Sequence, residues 1–304
     1  MDAKLTLGPI LFHWSVDVKR DFYARIADEA PVDTVYLGEV ICSKRAPFFD
    51  PYIEEAAERL TRGGKKVVIS SLAEVMLKRE RKSAADLAEI ETHEVEVNNS
   101  AELFHISGKP HRIGQYFNTY NAETMRYLAG RGATHFSLPA ELPRDSVAQM
   151  VEAGAALGTP VEVQVFGRAS LALSARCYHA RAHKRHKDNC QFVCEQDPDG
   201  MKLTTVSGQE FLAINGIQTL SHTFVSLLAE LDDMKSMGVS HYRLVPHSQD
   251  MVAVATIFRE ALDNKIATQE AESRLCALGF PAEFSNGFWH GVAGHLRMTG
   301  TSAA

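Results

Sequence analysis

Apolar and polar positions follow two rhythms along this chain. Short β-rich runs such as Thr34–Val40 (TVYLGEV), Lys66–Ser70 (KVVIS) and Val161–Phe166 (VEVQVF) alternate with longer stretches whose apolar residues recur at helical spacing. Leu5–Phe12 reads as a first strand, followed by a helix from Asp17, a suitable N-cap, to Ala30. Phe48–Leu60 is amphipathic through Ile53, Ala56, Ala57 and Leu60, and Gly63-Gly64 stops it. A long helix over Ala73–Ile90, strands at Glu94–Val97 and Ile113–Phe117, and a helix over Ala122–Ala129 come next. Thr134–Leu138 then leads into a helix across Asp145–Ala156. The last predicted elements are a helix over Thr223–Met237, a strand at His241–Val245 and a helix over Met251–Leu262. Roughly seven or eight βα steps predict an α/β, TIM-barrel-like parallel barrel, a single domain over residues 1–304. Only the stretch from 172 to 215 breaks the rhythm, and it reads as a cysteine-bearing insertion after about the seventh strand.

Composition narrows the function classes. With 45% apolar and 23% charged residues the chain is ordinary globular protein, long enough to bury a core without disulfide staples. A net charge of −6 argues against nucleic acid as the main partner. The start of the chain carries Asp2, Lys4, Gly8 and Pro9 and lacks the apolar core of a signal peptide, and no apolar run reaches the ~18 residues of a membrane span. The expectation is a cytoplasmic, reducing setting, in which clustered cysteines serve metals more often than disulfides.

The five cysteines are unevenly placed. Arg176–Cys194 (RCYHARAHKRHKDNCQFVC) contains Cys177, Cys190 and Cys194 in a C-x12-C-x3-C pattern, while Cys42 stands alone after the second strand. In a parallel barrel the ends of the second and seventh strands share one rim, so Cys42 is the best fourth partner. Four thiolates suit a [4Fe–4S] cluster. Zinc accepts the same set, or three thiolates with His179, His183 or His186, so spacing specifies a metal site without choosing the metal. Arg176, Arg181, Lys184, Arg185 and Lys187, with Lys44 and Arg45 beside Cys42, would offset the negative charge of such a centre. A solvated or nucleic-acid-binding basic face is the competing reading of that run.

Several of these segments carry a likeness. GEVICSKR (38–45), VQVFGRASLALSARCYHAR (163–181), KDNCQFVCEQDPDG (187–200), FLAINGIQTLS (211–221) and NGFWHG (286–291) resemble the UbiV branch of the collagenase-like peptidase family, end to end. The resemblance implies a [4Fe–4S] cluster on Cys42, Cys177, Cys190 and Cys194. It also implies oxygen-independent hydroxylation of the ring of ubiquinone precursors with a homologous UbiU-like subunit. A UbiT-like, sterol-carrier-type lipid-binding protein belongs to the same pathway, and prephenate is the implied hydroxyl donor. No HExxH pair or GxSxG elbow accompanies the peptidase name.

Polar residues just past strand ends are the remaining candidates: His13, Glu39, Asn118, Glu141 and Arg168. Glu39 and Glu141 are possible acids or bases, or else caps and loop partners. Arg168 and Arg176 suit a carboxylate such as that of prephenate, or balance the charge of the cluster. Cys276 reads as a small buried hydrophobe on a helix with Ala271, Leu275 and Leu278. Asn286-Gly287 reads as a turn that packs Phe288 and Trp289.

Overall fold

The computed structural model describes residues 3–299; Met1, Asp2 and residues 300–304, the ends of the single domain expected over 1–304, lie outside it. Eight short strands are each followed by a connection long enough to return to the starting edge. They are β1 (Lys4–Leu7), β2 (Thr34–Leu37), β3 (Lys66–Ser70), β4 (Glu94–Val97), β5 (His111–Ile113), β6 (Ala133–Ser137), β7 (Val161–Gly167) and, after an interruption, His241–Leu244. All eight pair in parallel, in order of sequence, and the last pairs with both β7 and β1. The sheet is therefore a closed, eight-stranded parallel barrel, as in a TIM barrel.

The interruption leaves the C-terminal end of β7. It forms an antiparallel sheet from β8 (Ser170–Leu173), β9 (Met201–Thr204), β10 (Glu210–Asn215) and β11 (Gln218–Ser221), in the order β8-β11-β10-β9. The chain then returns as β12 (Phe224–Ser226), antiparallel to the last residues of β7. The eighth barrel strand is thus β13, and β14 (Phe284–Ser285) pairs with β12.

Strand positions came through the sequence better than their ends. KVVIS, Glu94–Val97, Ala122–Ala129 and Met251–Leu262 match the expected bounds. The first strand stops at Leu7, because Gly8-Pro9 breaks pairing, though Ile10–Phe12 stay buried. Ser15, not Asp17, caps the first helix (Val16–Glu29), its Oγ accepting the Val18 N–H at 3.4 Å. Pro51 divides the expected Phe48–Leu60 helix into Ala46–Phe49, a 3-10 turn and Ile53–Arg62. The helix over Ala73–Ile90 is shorter, Lys78–Leu87, and the strand at Ile113–Phe117 is instead His111–Ile113 followed by a 3-10 turn. A helix at Ser100–Ile106 was not anticipated. Thr223–Met237 is not one helix: Phe224–Ser226 pairs with β7, and the helix is Leu231–Met237.

The barrel interior is ionic rather than purely aliphatic. Arg243 on β13 donates to Glu96 on β4 at 2.6 Å and to Glu162 on β7 at 2.5 Å, with both side chains fully buried. Tyr36 on β2 donates to Glu162 at 3.1 Å and accepts from Arg112 on β5 at 2.8 Å. Thr6 and His135 also contact Glu162, and the Arg243 guanidinium lies 4.0 Å from the centre of the Tyr36 ring. Arg243 and Glu96, like Tyr36 and Glu162, sit on strands that are not neighbours in the sheet, so these pairs meet through the lumen. Burial pushes the Glu162 carboxyl up, but Arg243 and His135 outweigh it and hold the group well below 4.5. His241 is driven down to about 4 by burial first and by His135 second.

Removing one member of a buried ion pair strands the other charge. Glu162→Gln is expected to lower stability by about 3–5 kcal/mol in urea unfolding, and an unchanged midpoint contradicts the network's role. Stability also depends on pH with a definite sign. The folded value of His241 lies below its ordinary 6.5, so its contribution is complete above about that pH and is lost as pH falls towards 4. Glu162 adds a second loss below about pH 4.5. Thermal melts between pH 8 and pH 4, at constant ionic strength, are expected to fall in that sequence, and a flat profile refutes it.

Candidate metal centre

The site begins where β2 ends. Gly38 has φ +120°, and a Cβ there would sit 2.5 Å from the carbonyl oxygen of Ser70, so only glycine lets the chain turn this close to β3. Glu39 then folds back, one carboxylate oxygen accepting the N–H groups of Ile41 at 3.0 Å and Cys42 at 2.9 Å. Glu39 is therefore a loop brace that fixes the Cys42 backbone. Its other oxygen is buried without a partner.

Arg45, three residues on, is the hub. It is 1% exposed, donates to the carbonyl of Leu11 and to the Asn215 side-chain oxygen, each at 2.9 Å, and lies within electrostatic reach of Cys194 and Cys42. Asn215 donates in turn to the same Leu11 carbonyl at 2.8 Å and to Gln218 at 3.0 Å. Gly216, at φ +63°, leaves room for the guanidinium, since a Cβ there would lie 2.8 Å from Nη2. These contacts tie the Cys42 loop to the β10–β11 turn of the small sheet. Lys44 adds a second tie, donating to the Lys187 carbonyl at 2.6 Å.

The other three thiols lie in the stretch past β7. Cys177 caps a short helix, Tyr178–Ala182, its Sγ accepting the Ala180 N–H at 3.3 Å. Cys190 follows the 3-10 turn Lys187–Asn189, and Arg185 donates to its carbonyl at 3.4 Å. Between Cys190 and Cys194 the chain turns through two consecutive left-handed residues, Gln191 (φ 49°) and Phe192 (φ 52°). That conformation costs about 1–3 kcal/mol per non-glycine residue. Packing of the Phe192 ring against Phe48 (4.8 Å) and His13 (5.5 Å) offsets part of it. His13 is buried, and burial with Arg45 and Lys19 lowers it to about 4, so the ring packs as a neutral imidazole.

The four thiols are free, Cys194 buried and the other three partly so. Cys177 lies within electrostatic reach of Cys42 and Cys190, and Cys194 within reach of Cys177 and Cys190. Burial raises the thiol pKa of Cys42, Cys177 and Cys194, while Arg45 pulls each back down. Such a donor set favours a soft metal centre, whose binding displaces the thiol protons. Cys276 stands apart on the helix Thr268–Ala277, and it is exposed rather than buried because Ala271 and Leu275 take the inward face.

The other candidates take different places. Arg168 is buried over the Phe224 ring, its Nη1 donating to the carbonyls of Ser221 and His222. Its Nη1 is thus committed to backbone carbonyls, while Arg176 is exposed. Glu141 accepts from the Tyr120 hydroxyl and, with Gln115, Asn118 and Ser170, lines a polar cavity of about 290 Å³. Asn118 ends the 3-10 turn at φ 59°. Trp289 is buried as expected. The ionic lumen went unpredicted, although the alternation of EVEV (94–97) and VEVQV (161–165) carries it.

The family model for peptidase family U32 matches residues 20–299. The chain belongs to peptidase family U32. Among solved structures, a class V chitinase from Nicotiana tobaccum in complex with NAG4 aligns over 92% of this chain and 99% of its own. It shares 11% identity at a TM-score of 0.32, too distant to inform the site. In this U32 chain the rim thiols and their arginine make a consistent local design. A prediction about reactivity follows. In metal-free protein at pH 8, Cys276 is expected to react first with a disulfide reagent, and Cys276→Ala to remove the fast phase. Cys42, Cys177 and Cys194 should react slowly, since raised pKa values leave less thiolate. Fast labelling of Cys194 would contradict its shielding.

Proposed function

We propose that this chain holds a [4Fe–4S] cluster on Cys42, Cys177, Cys190 and Cys194. In this reading it serves as the iron–sulfur subunit of an oxygen-independent hydroxylase acting on the ring of a ubiquinone precursor. What supports the reading is that Cys42, Cys177 and Cys194 are free, covered thiols within electrostatic reach of one buried guanidinium, Arg45, with Cys190 within reach of Cys177 and Cys194. The motif resemblance adds the reaction class. When bound, such a cluster supplies one-electron transfer.

The chain's own residues have definable tasks in that reading. Arg45 offsets part of the negative charge of four thiolates, and Lys44 and Arg185 close the loop around it. The rings of Phe48, Phe192 and His13 pack on one another beside the Cys190–Cys194 turn. Four cysteine ligands leave no iron open, so the substrate binds elsewhere, on this chain or on a UbiU-like homologue. A polyprenylated ring is too apolar to travel in water, and no helix among the described residues is long and apolar enough to cross a membrane. A UbiT-like lipid carrier answers that need. Prephenate is the hydroxyl donor in this reading.

A second reading, a non-catalytic scaffold with structural zinc on the same thiols, rests on the same donor set. Anaerobic purification separates the two: brown protein with broad visible absorbance that bleaches on reduction supports the cluster. Colourless protein with one zinc per chain supports the scaffold. Co-expression with the homologue is expected to give a one-to-one complex. Deletion of the gene is expected to abolish ubiquinone made without oxygen and to spare aerobic synthesis. Normal anaerobic ubiquinone in the deletion strain refutes the assignment.

A further inference from the structure

We propose that His179, His183 and Asp197 form a separate site for a single divalent metal ion, independent of what the four thiols hold. His183 is the C-terminal cap of the short helix Tyr178–Ala182 and follows His179 by four residues, so the two rings share one face. They stack with centroids 5.6 Å apart and planes inclined by 12°. Asp197 arrives from the turn after Cys194, its Oδ2 2.8 Å from His179 Nε2. One ligand atom from each residue lies within 4.8 Å of the other two. Atoms bound to one first-row ion at about 2.0–2.2 Å stand about 3–4.4 Å apart, so small side-chain rotations admit the ion.

An ordinary histidine–aspartate staple accounts for two of these residues but not the third. His179 is fully buried, and its Nδ1 has no hydrogen-bond partner among the described residues. The His183 ring is half-buried and shows no hydrogen bond among the described residues, yet it lies flat against His179. The Asp197 side chain is 30% exposed, which leaves one side of the site open to an entering ion and its water.

Two imidazoles and one carboxylate suit Fe(II), Mn(II), Co(II) or Zn(II), and three protein ligands leave positions free. A four-thiolate set leaves none. An ion here would accept an oxygen ligand and polarise it, a Lewis-acid role the thiol centre does not offer. It would also tie the Cys177 helix to the Cys194 turn, since the two ligand sets interleave in sequence.

Mn2+ is the probe, because it favours nitrogen and oxygen donors over thiolate. Titration of the metal-free full chain, followed by electron paramagnetic resonance of the free ion, is expected to show one bound Mn2+ per chain. His183→Ala and Asp197→Asn should each weaken binding at least tenfold. His183→Ala should keep the wild-type melting temperature without metal, since its ring makes no hydrogen bond. Equal Mn2+ binding by wild type and His183→Ala overturns the proposal. So does loss of binding in Cys42→Ala with retention in His183→Ala, which would put the ion on the thiols.

Discussion

A buried guanidinium needs acceptors and a compensating charge, and the rim of this barrel is organised around supplying both to Arg45. Leu11 and Asn215 take its hydrogens, and Glu39 supplies negative potential, to which Cys194 and Cys42 add when they are thiolates. Burial alone would make the group easier to deprotonate, but those neighbours reverse the shift and hold it charged. The contacts come from the β1 loop, the β2 loop, the small antiparallel sheet and the turn at Cys194. One side chain thus joins four segments that are far apart in sequence. The same charge makes thiolates easier to form at Cys42, Cys177 and Cys194.

The barrel beneath supports this in a second way. Its lumen is fixed by Arg243, Glu162 and Glu96 rather than by aliphatic layers alone, so strand positions answer to directional contacts as well as packing. Buried pairs of this kind are weak evidence of net stability but strong constraints on geometry once formed. Fixed strand ends matter here because Cys42 and Cys177 follow different strands and must reach the same place. The left-handed pair Gln191–Phe192 fits the same logic: strain is tolerated where the surrounding packing over-determines the turn.

Much of this was legible in the sequence because parallel strands buried on both faces read as dense β-branched runs. KVVIS and VEVQVF announce themselves, and regular βα alternation implies a barrel. The cysteine pattern, with its lone upstream member, singles out Cys42, Cys177, Cys190 and Cys194 as the ligands proposed above. What stayed hidden was long-range. No local signal says that Arg45 is buried while Arg176 is exposed, or that Arg168 donates to carbonyls 53 and 54 residues further along the chain. Phe224–Ser226 looked helical in context and became a strand because β7 offered an unpaired end. Glu39 reads in sequence either as an acid or base or as a cap or loop partner, and its carboxylate accepts the Ile41 and Cys42 N–H groups, since such a side chain can serve its own backbone. Cys276 shows the opposite failure: its helix was read correctly, but its face was not.

The central claim is that Cys42, Cys177, Cys190 and Cys194, and not Cys276, hold one [4Fe–4S] cluster. The most direct test is Mössbauer spectroscopy of anaerobic, iron-57-enriched protein, with iron and acid-labile sulfide counted per chain for wild type and each cysteine-to-alanine variant. The account predicts about four iron and four sulfide in wild type and in Cys276→Ala, with a [4Fe–4S]2+ signature, and substantial loss in each of the other four. A wild-type count that Cys42→Ala leaves intact, or that Cys276→Ala abolishes, contradicts it.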